Sequence, residues 1–388
     1  MFTKVSPRSG KLVIQSRGPD GFSAFMPNIL PPDPPLVYDD EMSFLMERAN
    51  RALGRLDGCT YTLPNPELFL YMYVRKEAVL SSQIEGTQAS LADLLEFEGN
   101  IEIKTSRDDI REVSNYVSAM QYGLSRLGEL PLSLRLIKEI HVRLLEGTRG
   151  GHKNPGEFRA SQNWIGGTKP SDARFVPPPP NEVMQCMGDL EKFLHNENVP
   201  PLLKAGMAHA QFETIHPFLD GNGRIGRLLI TFILCHDKVL EKPLLYLSLY
   251  FKKHRSEYYE RLDATRRDGD WEGWIKFYLN GVYEISKQAM DAAKAIMDIQ
   301  NDHRNAISRL GKAAPTALSL LNMLYLSPIA TVPGVAKTLG VSQPAARNAV
   351  NALVDLGILL ETSGKKRDRV YLYESYLSII REGTENYA

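Results

Sequence analysis

Cysteine is scarce in this 388-residue chain, and its pattern excludes several kinds of site. Cys59, Cys186 and Cys235 are an odd number and show no CxxC or Cys/His spacing. Disulfide frameworks in small secreted domains pair their cysteines, and structural zinc sites use closely spaced pairs. The sequence therefore predicts neither, and we expect three buried thiols in a reducing cytoplasm.

Net charge and long apolar runs are also missing. Lys plus Arg and Asp plus Glu each total 46, so the formal net charge is zero. A neutral chain has no global attraction for nucleic acid or for an anionic membrane surface, so any polyanion site must be local. No apolar run approaches the roughly 20 residues that span a bilayer, and the first residues lack a signal-peptide core. We expect a folded cytoplasmic protein without a membrane contact.

Helical periodicity dominates what is present, so the fold class expected is mainly α. Apolar residues recur at spacings of three and four from residue 39 to about residue 299. The proline-rich stretch up to about Leu36 is expected to run extended, either packed on the surface or disordered. In "GEFRASQNWIGGTKPSDARFVPPPP", Gly166 and Gly167 separate two short strand-like runs, which predicts a β-hairpin projecting from a helical body.

The composition changes near residue 300, where we place a domain boundary. Residues 300–388 read as a helix, a short helix, a turn at Gly340, a helix from Ser342 and two strands, the order of a winged helix-turn-helix. Residues 301–388 hold ten Lys/Arg and seven Asp/Glu, a weakly basic balance that leaves DNA binding and protein contact both open. The candidates for base and phosphate contacts are Ser342, Gln343, Arg347 and Asn348 on the helix and Lys365, Lys366 and Arg367 on the wing.

The stretch "HPFLDGNGRIGRLL", residues 216–229, places unusual chemistry at the start of a helix. The helix predicted over residues 201–215 ends at His216, because a residue before proline resists the α conformation. A second helix begins at the Gly-Asn-Gly segment. Gly221 and Gly223 let backbone amides approach a ligand, and a helix N-terminus favours an anion. This pattern predicts an anion site.

The charged residues of the stretch indicate which anion binds there and which reaction follows. Arg224 and Arg227 share a helix face and can each grip phosphate oxygens as a planar fork. Asp220 would repel a bare phosphate, so a divalent cation such as Mg²⁺ is expected between them. His216 titrates near neutrality and suits the removal of a proton from an incoming hydroxyl. The residues together predict phosphoryl or nucleotidyl transfer.

The string also resembles, almost letter for letter, the Fic-domain motif HPFx(D/E)GNGRxxR. Fic proteins are mostly helical enzymes that typically transfer AMP from ATP to a hydroxyl side chain of a protein and release pyrophosphate. The resemblance implies that His216 is the general base and Asp220 the Mg²⁺ ligand. The ATP-binding residues it implies are Gly221, Asn222, Gly223, Arg224, Gly226 and Arg227 in the motif, Ile165, Gly166, Gly167 and Thr168 at the tip of the hairpin, and Tyr258 and Tyr259 beside the adenine.

The segment "SSQIEG", residues 81–86, matches the inhibitory signature (S/T)xxxE(G/N) of the same family. Ser81 and Glu85 lie one helical turn apart, just before Gly86. The resemblance implies that Glu85 pairs with Arg227 and so withholds this arginine from the γ-phosphate of ATP. The layout it implies is a proline-rich arm and helices, including the inhibitory helix, over 1–105, a Fic core over 106–299 and a winged helix-turn-helix over 300–388.

A self-inhibited protein adenylyltransferase, acting with Mg²⁺ and ATP on another protein or on itself, is therefore the first hypothesis. Removal of AMP from a modified protein, with Glu85 orienting water, uses the same residues. Transfer of another phosphate-containing group, such as UMP or phosphocholine, also remains open. A third hypothesis is a DNA-binding regulator whose Fic portion senses nucleotide. The resemblance also implies a homodimer that forms through helical faces.

Overall fold

The structure is a computed structural model that describes residues 4–61, 66–99, 105–365 and 369–385. It is mainly α, as predicted. The helices of the first part are α1 (Asp40–Cys59), α2 (Pro66–Ile84), α3 (Leu91–Glu98), α4 (Arg107–Arg126), α5 (Leu134–Leu145), α6 (Val183–Leu194), α7 (Pro201–Ile215) and α8 (Asn222–His236). They are followed by α9 (Ser248–Lys253), α10 (Arg255–Arg267), α11 (Trp271–Ser308), α12 (Ala314–Leu324), α13 (Val332–Leu339), α14 (Gln343–Asp355) and α15 (Glu374–Arg381).

Three buried helices form the centre of the molecule. α7 and α8 lie side by side, and α2 packs against α4, α8 and α9. Nearly every residue of α7 and α8 is buried on all sides, as is α2 from Met72 onward. A helix that is buried all round belongs to the core, whereas an amphipathic helix covers it. The helices that carry the inhibitory segment and the motif are therefore held rigidly by the surrounding helices.

The expected extended arm is instead an antiparallel hairpin of β1 (Gly10–Ser16) and β2 (Phe22–Pro27). The amide of Phe25 donates to the carbonyl of Val176 at 2.9 Å, so the hairpin packs on the loop that precedes α6. Arg8 fixes its base, because the guanidinium donates to both carboxylate oxygens of Glu272 at 2.7 and 2.8 Å. Pro27 pairs with Gly10 at the end of β2, and the other prolines of this stretch lie outside the paired residues, so prolines did not prevent strand pairing.

The hairpin predicted around Gly166 and Gly167 is reduced to one β-bridge. Ile165 and Phe175 exchange two backbone hydrogen bonds of 2.9 and 3.1 Å, and no longer strand follows in this described stretch. Asp172 instead accepts from the amides of Thr168 and Lys169, at 2.9 and 2.8 Å. Side-chain hydrogen bonds of this kind compete with strand pairing, which explains the difference.

α11 runs without interruption through residue 300, whereas the sequence predicted its end at about Ile299. The stretch after Ile299 is polar but has neither proline nor glycine before Gly311, so no helix stop occurs there. Beyond it lie the predicted helices and strands, β4 (Leu360–Glu361) and β5 (Val370–Leu372), and one strand that the sequence missed, β3 (Ile329–Thr331). These strands form a sheet of order β3-β5-β4. The boundary near residue 300 and the winged-helix assignment stay predictions.

Lys366 and Arg367, named as wing residues, lie outside the described residues. Within the described ranges, none of the helices combines the length and the apolar character that crossing a bilayer requires.

Replacement of Arg8 by Met should destabilise the protein by about 1–3 kcal/mol, because it leaves Glu272 half-buried without its bidentate partner. The free energy of unfolding in urea would measure this loss. Arg17→Met, at an exposed arginine of the same hairpin, is the matched control. Equal stabilities of the two variants would contradict the anchoring role of Arg8.

Candidate active site

The loop that joins α7 to α8 is folded by its own residues. His216 caps α7 in the left-handed conformation (φ 49°), and Gly221 begins α8 with φ 77°. Asn222 closes the loop, because its side-chain oxygen accepts from the amide of Phe218 and its side-chain nitrogen donates to the carbonyl of Phe218, both at 2.8 Å. The motif residues thus build a tight reversal that brings His216 next to the N-terminus of α8.

Two side chains from the long connection between α5 and α6 hold the carbonyls of this reversal. Arg159 donates through Nε to the carbonyl of His216 at 3.0 Å and through Nη2 to that of Pro178 at 2.6 Å. The Asn163 amide donates to the carbonyls of His216 (3.1 Å) and Phe218 (3.0 Å). Neither residue could be predicted from the sequence, since contacts to backbone carbonyls leave no spacing pattern in the chain.

His141 of α5 supports the other end of the loop and was also missed. Its Nδ1 accepts from the amide of Gly156 at 2.8 Å, so Nε2 carries the hydrogen and donates to the carbonyl of Asp220 at 2.9 Å. Its ring stacks on Phe218 with centroids 3.7 Å apart. Burial lowers the pKa of His141 to about 4, which keeps the ring neutral and this hydrogen-bond pattern intact.

His216 presents a neutral imidazole to the site. Its Nδ1 is buried and has no hydrogen-bond partner among the described residues, and the carboxylate of Glu213 lies 4.0 Å away. The side chain as a whole is 21% exposed, which leaves Nε2 as the nitrogen available to a ligand. Burial, with a smaller effect of Arg266, lowers the pKa of His216 to about 4. The ring is therefore an unprotonated base at neutral pH.

The start of α8 has the features of an anion site. Arg224 is buried, and its Nη2 lies 3.3 Å from Asp220 Oδ1 and its Nη1 3.5 Å from Glu112 Oε2. Nε and Nη1 of Arg224 have no hydrogen-bond partner among the described residues. A buried guanidinium with unsatisfied N–H groups beside a helix N-terminus is suited to phosphate oxygens. The Asp220 side chain, 40% exposed, faces the same place.

Arg227 contacts both residues of the inhibitory signature. Its Nε donates to Ser81 Oγ at 2.8 Å, and its Nη2 donates to Glu85 Oε1 at 2.7 Å and to the Ser81 carbonyl at 3.0 Å. The Arg227 side chain is only 2% exposed. Burial raises the pKa of Glu85, but the charge and hydrogen bond of Arg227 outweigh it, so the pKa is lowered overall. Glu85 therefore stays ionised against Arg227.

The Glu85 carboxylate also covers the first turn of α8. A methyl group added at Gly223 would lie 2.1 Å from Glu85 Oε1, so the carboxylate touches bare backbone there. Gly86 follows with φ 98°, a conformation that lets the chain turn away after Glu85. An anion approaching the amides of α8 would meet a negative charge already in place.

The other residues predicted to bind ATP differ in how far they are exposed. Tyr258 is 1% exposed, and its hydroxyl is 2.9 Å from Nε2 of the buried His209. Gly226 packs against Glu213 and accepts from His209 Nδ1 at 2.8 Å through its carbonyl. Tyr259 is half-buried and therefore more accessible than Tyr258. The tip residues Gly166, Gly167 and Thr168 are exposed, and Ile165 is half-buried.

Comparison with known families agrees with this geometry. Residues 44–125 match the Fic/DOC family N-terminal region, and residues 131–234 match the Fic/DOC family. Residues 131–234 therefore form a Fic domain. The resemblance seen in the motif of the Fic core is thus confirmed over the helices that surround it.

Individual relatives carry the same family name. The chain is 34% identical over 205 residues to "Protein adenylyltransferase Fic" of Aedes aegypti, and the match covers 50% of this chain and 37% of that protein. The protein of the same name from Drosophila grimshawi is 33% identical over 204 residues, covering 50% and 38%. The matched region is thus little more than a third of these relatives' length. A crystal structure of a Fic family protein from Desulfovibrio desulfuricans G20 covers 87% of this chain and 97% of its own, with a TM-score of 0.56 and 20% identity, which supports the fold alone.

The ring of His216 should remain neutral at pH 5, because its pKa is about 4. An ordinary histidine, with a pKa near 6.5, would be almost fully protonated there. The ¹Hε1–¹³Cε1 signal of His216, followed by NMR from pH 8 to pH 5 and assigned with His216→Gln, measures this. A titration midpoint above pH 6 would contradict the assignment of His216 as a buried neutral base.

The lowered pKa values of His216 and His141 also make the stability of the folded protein depend on pH. Histidines of the unfolded chain accept protons near pH 6.5, whereas His216 and His141 accept them only near pH 4. The stability gained by keeping these rings neutral is therefore lost progressively as the pH falls from about 7 towards 4.

Proposed function

We propose that this chain is a protein adenylyltransferase that transfers AMP from ATP to a hydroxyl side chain of another protein or of itself. The observation that carries the proposal is the neutral base His216 directly beside an anion site with an unsatisfied, buried Arg224. The names of the curated relatives agree with it. Nucleotidyl transfer needs mainly positioning and charge stabilisation, which these groups supply.

The transfer step follows from this arrangement. The phosphates of ATP lie at the amides of residues 221–223, where the N-terminus of α8 and Arg224 favour negative charge. The hydroxyl oxygen of the target forms a bond to the α-phosphorus while the bond from that phosphorus to the bridging oxygen of pyrophosphate breaks. His216 Nε2 takes the hydroxyl proton, and pyrophosphate leaves with the electron pair of the broken bond. The low pKa of His216 ensures that Nε2 is free to accept a proton.

Asp220 is the residue that would hold Mg²⁺. The part of the chain that the structure describes contains no cluster of three or more possible metal ligands. Mg²⁺ commonly uses one or two carboxylates and completes its shell with substrate phosphates and water, which fits a single exposed carboxylate beside a phosphate site. Bound there with ATP, the ion would offset phosphate charge. The chain itself contributes Asp220, oriented through its carbonyl by His141.

Inhibition by Glu85 follows from two contacts. Glu85 engages the Nη2 of Arg227, which removes this guanidinium from a phosphate ligand. Its Oε1 also touches Gly223, where it repels phosphate oxygens from the first turn of α8. Both effects disappear when the carboxylate is removed, so the resting protein is expected to transfer AMP slowly.

Glu85→Gly should raise AMP transfer by roughly 10- to 100-fold, because a charge-assisted hydrogen bond contributes about 1.5–3 kcal/mol. Incorporation of label from α-³²P-ATP into protein, with Mg²⁺, measures the rate. Adding His216→Ala to Glu85→Gly should abolish the label.

The control for this variant is Glu146→Gly, which removes an exposed glutamate at the end of α5, the position that Glu85 has after α2. This control should match the parent. Absence of label in Glu85→Gly would overturn AMP transfer, and parallel assays with α-labelled UTP, with a labelled phosphocholine donor and with AMP-modified protein would then identify another donor or AMP removal.

Glu112 is a further candidate for positioning Arg224. Its Oε2 lies 3.5 Å from Arg224 Nη1 and accepts from Thr87 Oγ at 3.2 Å, while Oε1 accepts from Arg149 Nε at 3.1 Å. The carboxylate thus offers Arg224 an anionic partner other than Asp220. This arrangement would keep the Asp220 carboxylate available for a cation.

In the Glu85→Gly background, Glu112→Gln should raise the KM for ATP by roughly 5- to 30-fold, an effect of about 1–2 kcal/mol, and change kcat less. Steady-state rates at fixed Mg²⁺ would measure both constants. Glu129→Gln, at an exposed glutamate of the same region, serves as control. A fall in kcat at constant KM would show that Glu112 does not act through ATP binding.

DNA binding by residues 300–388 and assembly into a homodimer stay predictions. Of the DNA-contact candidates, Ser342, Gln343, Arg347, Asn348 and Lys365 are exposed, with the first four at the start of α14. Exposure on a helix permits a DNA contact, but it is equally compatible with a protein contact.

A further inference from the structure

Gln83 lies inside the inhibitory segment, between Ser81 and Glu85, and all its polar atoms are engaged. Its amide nitrogen donates to the carbonyls of Ala89 at 3.1 Å and Thr384 at 2.9 Å. Its amide oxygen accepts from Lys252 Nζ at 2.7 Å. One of these partners, Thr384, is 301 residues away in the chain. The inhibitory segment therefore contacts residues that are far away from it along the chain.

That distant part is residues 383–385, which we call the docking segment. Lys252 donates to the carbonyls of Gly383 at 3.3 Å and Glu385 at 2.8 Å, as well as to Gln83. Thr384 is 3% exposed. Gly383 has φ 81°, and a methyl group there would lie 2.4 Å from a methyl carbon of the buried Leu249. The docking segment fits closely against α9 and α2.

The docking segment follows directly on α15, which packs against α11 and α2. The apolar side chains Tyr376, Leu377 and Ile380 of α15 are buried. The position of the docking segment is therefore set by how this part of the chain sits on the long helix α11. A movement of α15 would carry the docking segment with it.

The end of α2 needs such support. Glu85 and Gly86 are held by single-turn hydrogen bonds, from the Glu85 amide to the Ser82 carbonyl (3.0 Å) and from the Gly86 amide to the Gln83 carbonyl (3.1 Å). Helix ends of this kind open at low free-energy cost unless tertiary contacts hold them. The tertiary contacts of this turn include those of Gln83 and a hydrogen bond from Arg255 to the Ile84 carbonyl at 3.0 Å.

We propose that Gln83 is a positioning residue for Glu85, and that the docking segment, through Gln83 and Lys252, holds Glu85 against Arg227. Undocking leaves the last turn of α2 free to open, and Glu85 then leaves Arg227 more often. Inhibition is thereby coupled to the seating of α15 on the rest of the molecule. This inference rests on the proposed function, in which release of Arg227 permits productive ATP binding.

Gly383→Val tests the inference without touching α2 or the catalytic residues. The valine cannot adopt the backbone conformation of Gly383 easily, and it collides with Leu249. Gly357→Val is the matched control, because Gly357 also has positive φ (71°) in the same part of the chain, but no atom of the described residues lies within 4 Å of the added group. Both variants are made in the full chain, with and without Glu85→Gly.

AMP transfer by Gly383→Val should exceed that of the parent by about fivefold or more, within the usual range of coupling between sites. Gly357→Val should match the parent. In the Glu85→Gly background neither substitution should change the rate, since no inhibition is left to relieve. An active Glu85→Gly protein combined with an unstimulated Gly383→Val protein would overturn the inference while the proposed function stands.

Amide hydrogen exchange over residues 83–88 provides a readout that does not need AMP transfer. Exchange should be faster in Gly383→Val than in Gly357→Val, and faster in Lys252→Met than in Lys253→Met, its neighbour on α9. Equal exchange within both pairs would overturn the inference. If Glu85→Gly itself transfers no AMP, the proposed function fails, and faster exchange in Gly383→Val and Lys252→Met would still support docking.

Discussion

The burial of Arg227 is the constraint on which this site depends. A guanidinium that is 2% exposed cannot lose its proton, so it must always face an anion. In the described structure that anion is Glu85, assisted by the hydroxyl and carbonyl of Ser81. In the proposed reaction it is the phosphate of ATP. Two anions, the Glu85 carboxylate and the phosphate of ATP, therefore compete for Arg227. Any change in the access of Glu85 to Arg227 alters how often each of them is bound.

The parts of the site that could be predicted are those that lie close together in the chain. The residues of the motif lie within one loop and the first turns of one helix. Their spacing alone therefore indicated that His216, Asp220 and Arg224 line the same site. The pair of Glu85 and Arg227 joins two helices, and it could be expected only because the signature resembled that of the family. The helices themselves followed from apolar spacing, which is strong in long amphipathic segments such as α1.

The parts that could not be predicted depend on long-range contacts with the backbone. Arg159, Asn163 and His141 hold the loop through carbonyl oxygens, and any residue can offer a carbonyl, so the sequence contains no signal for the partner. The arm was misjudged because proline content decided the prediction, whereas the pairing of β1 with β2 includes a proline only at its end, where Pro27 lies opposite Gly10. The hairpin around Gly166 was predicted as two strands, but Asp172 satisfies the amides that would have paired.

The length of α11 has a mechanical consequence. At 38 residues and 1.5 Å per residue the helix is about 57 Å long, so a tilt of one degree at one end displaces the other by about 1 Å. A displacement of that size is enough to break a hydrogen bond of 2.9 Å. α12 and α15 contact α11, so a rigid rotation of α11 about its end at Trp271 would move the elements that pack near Ser308 by this amount.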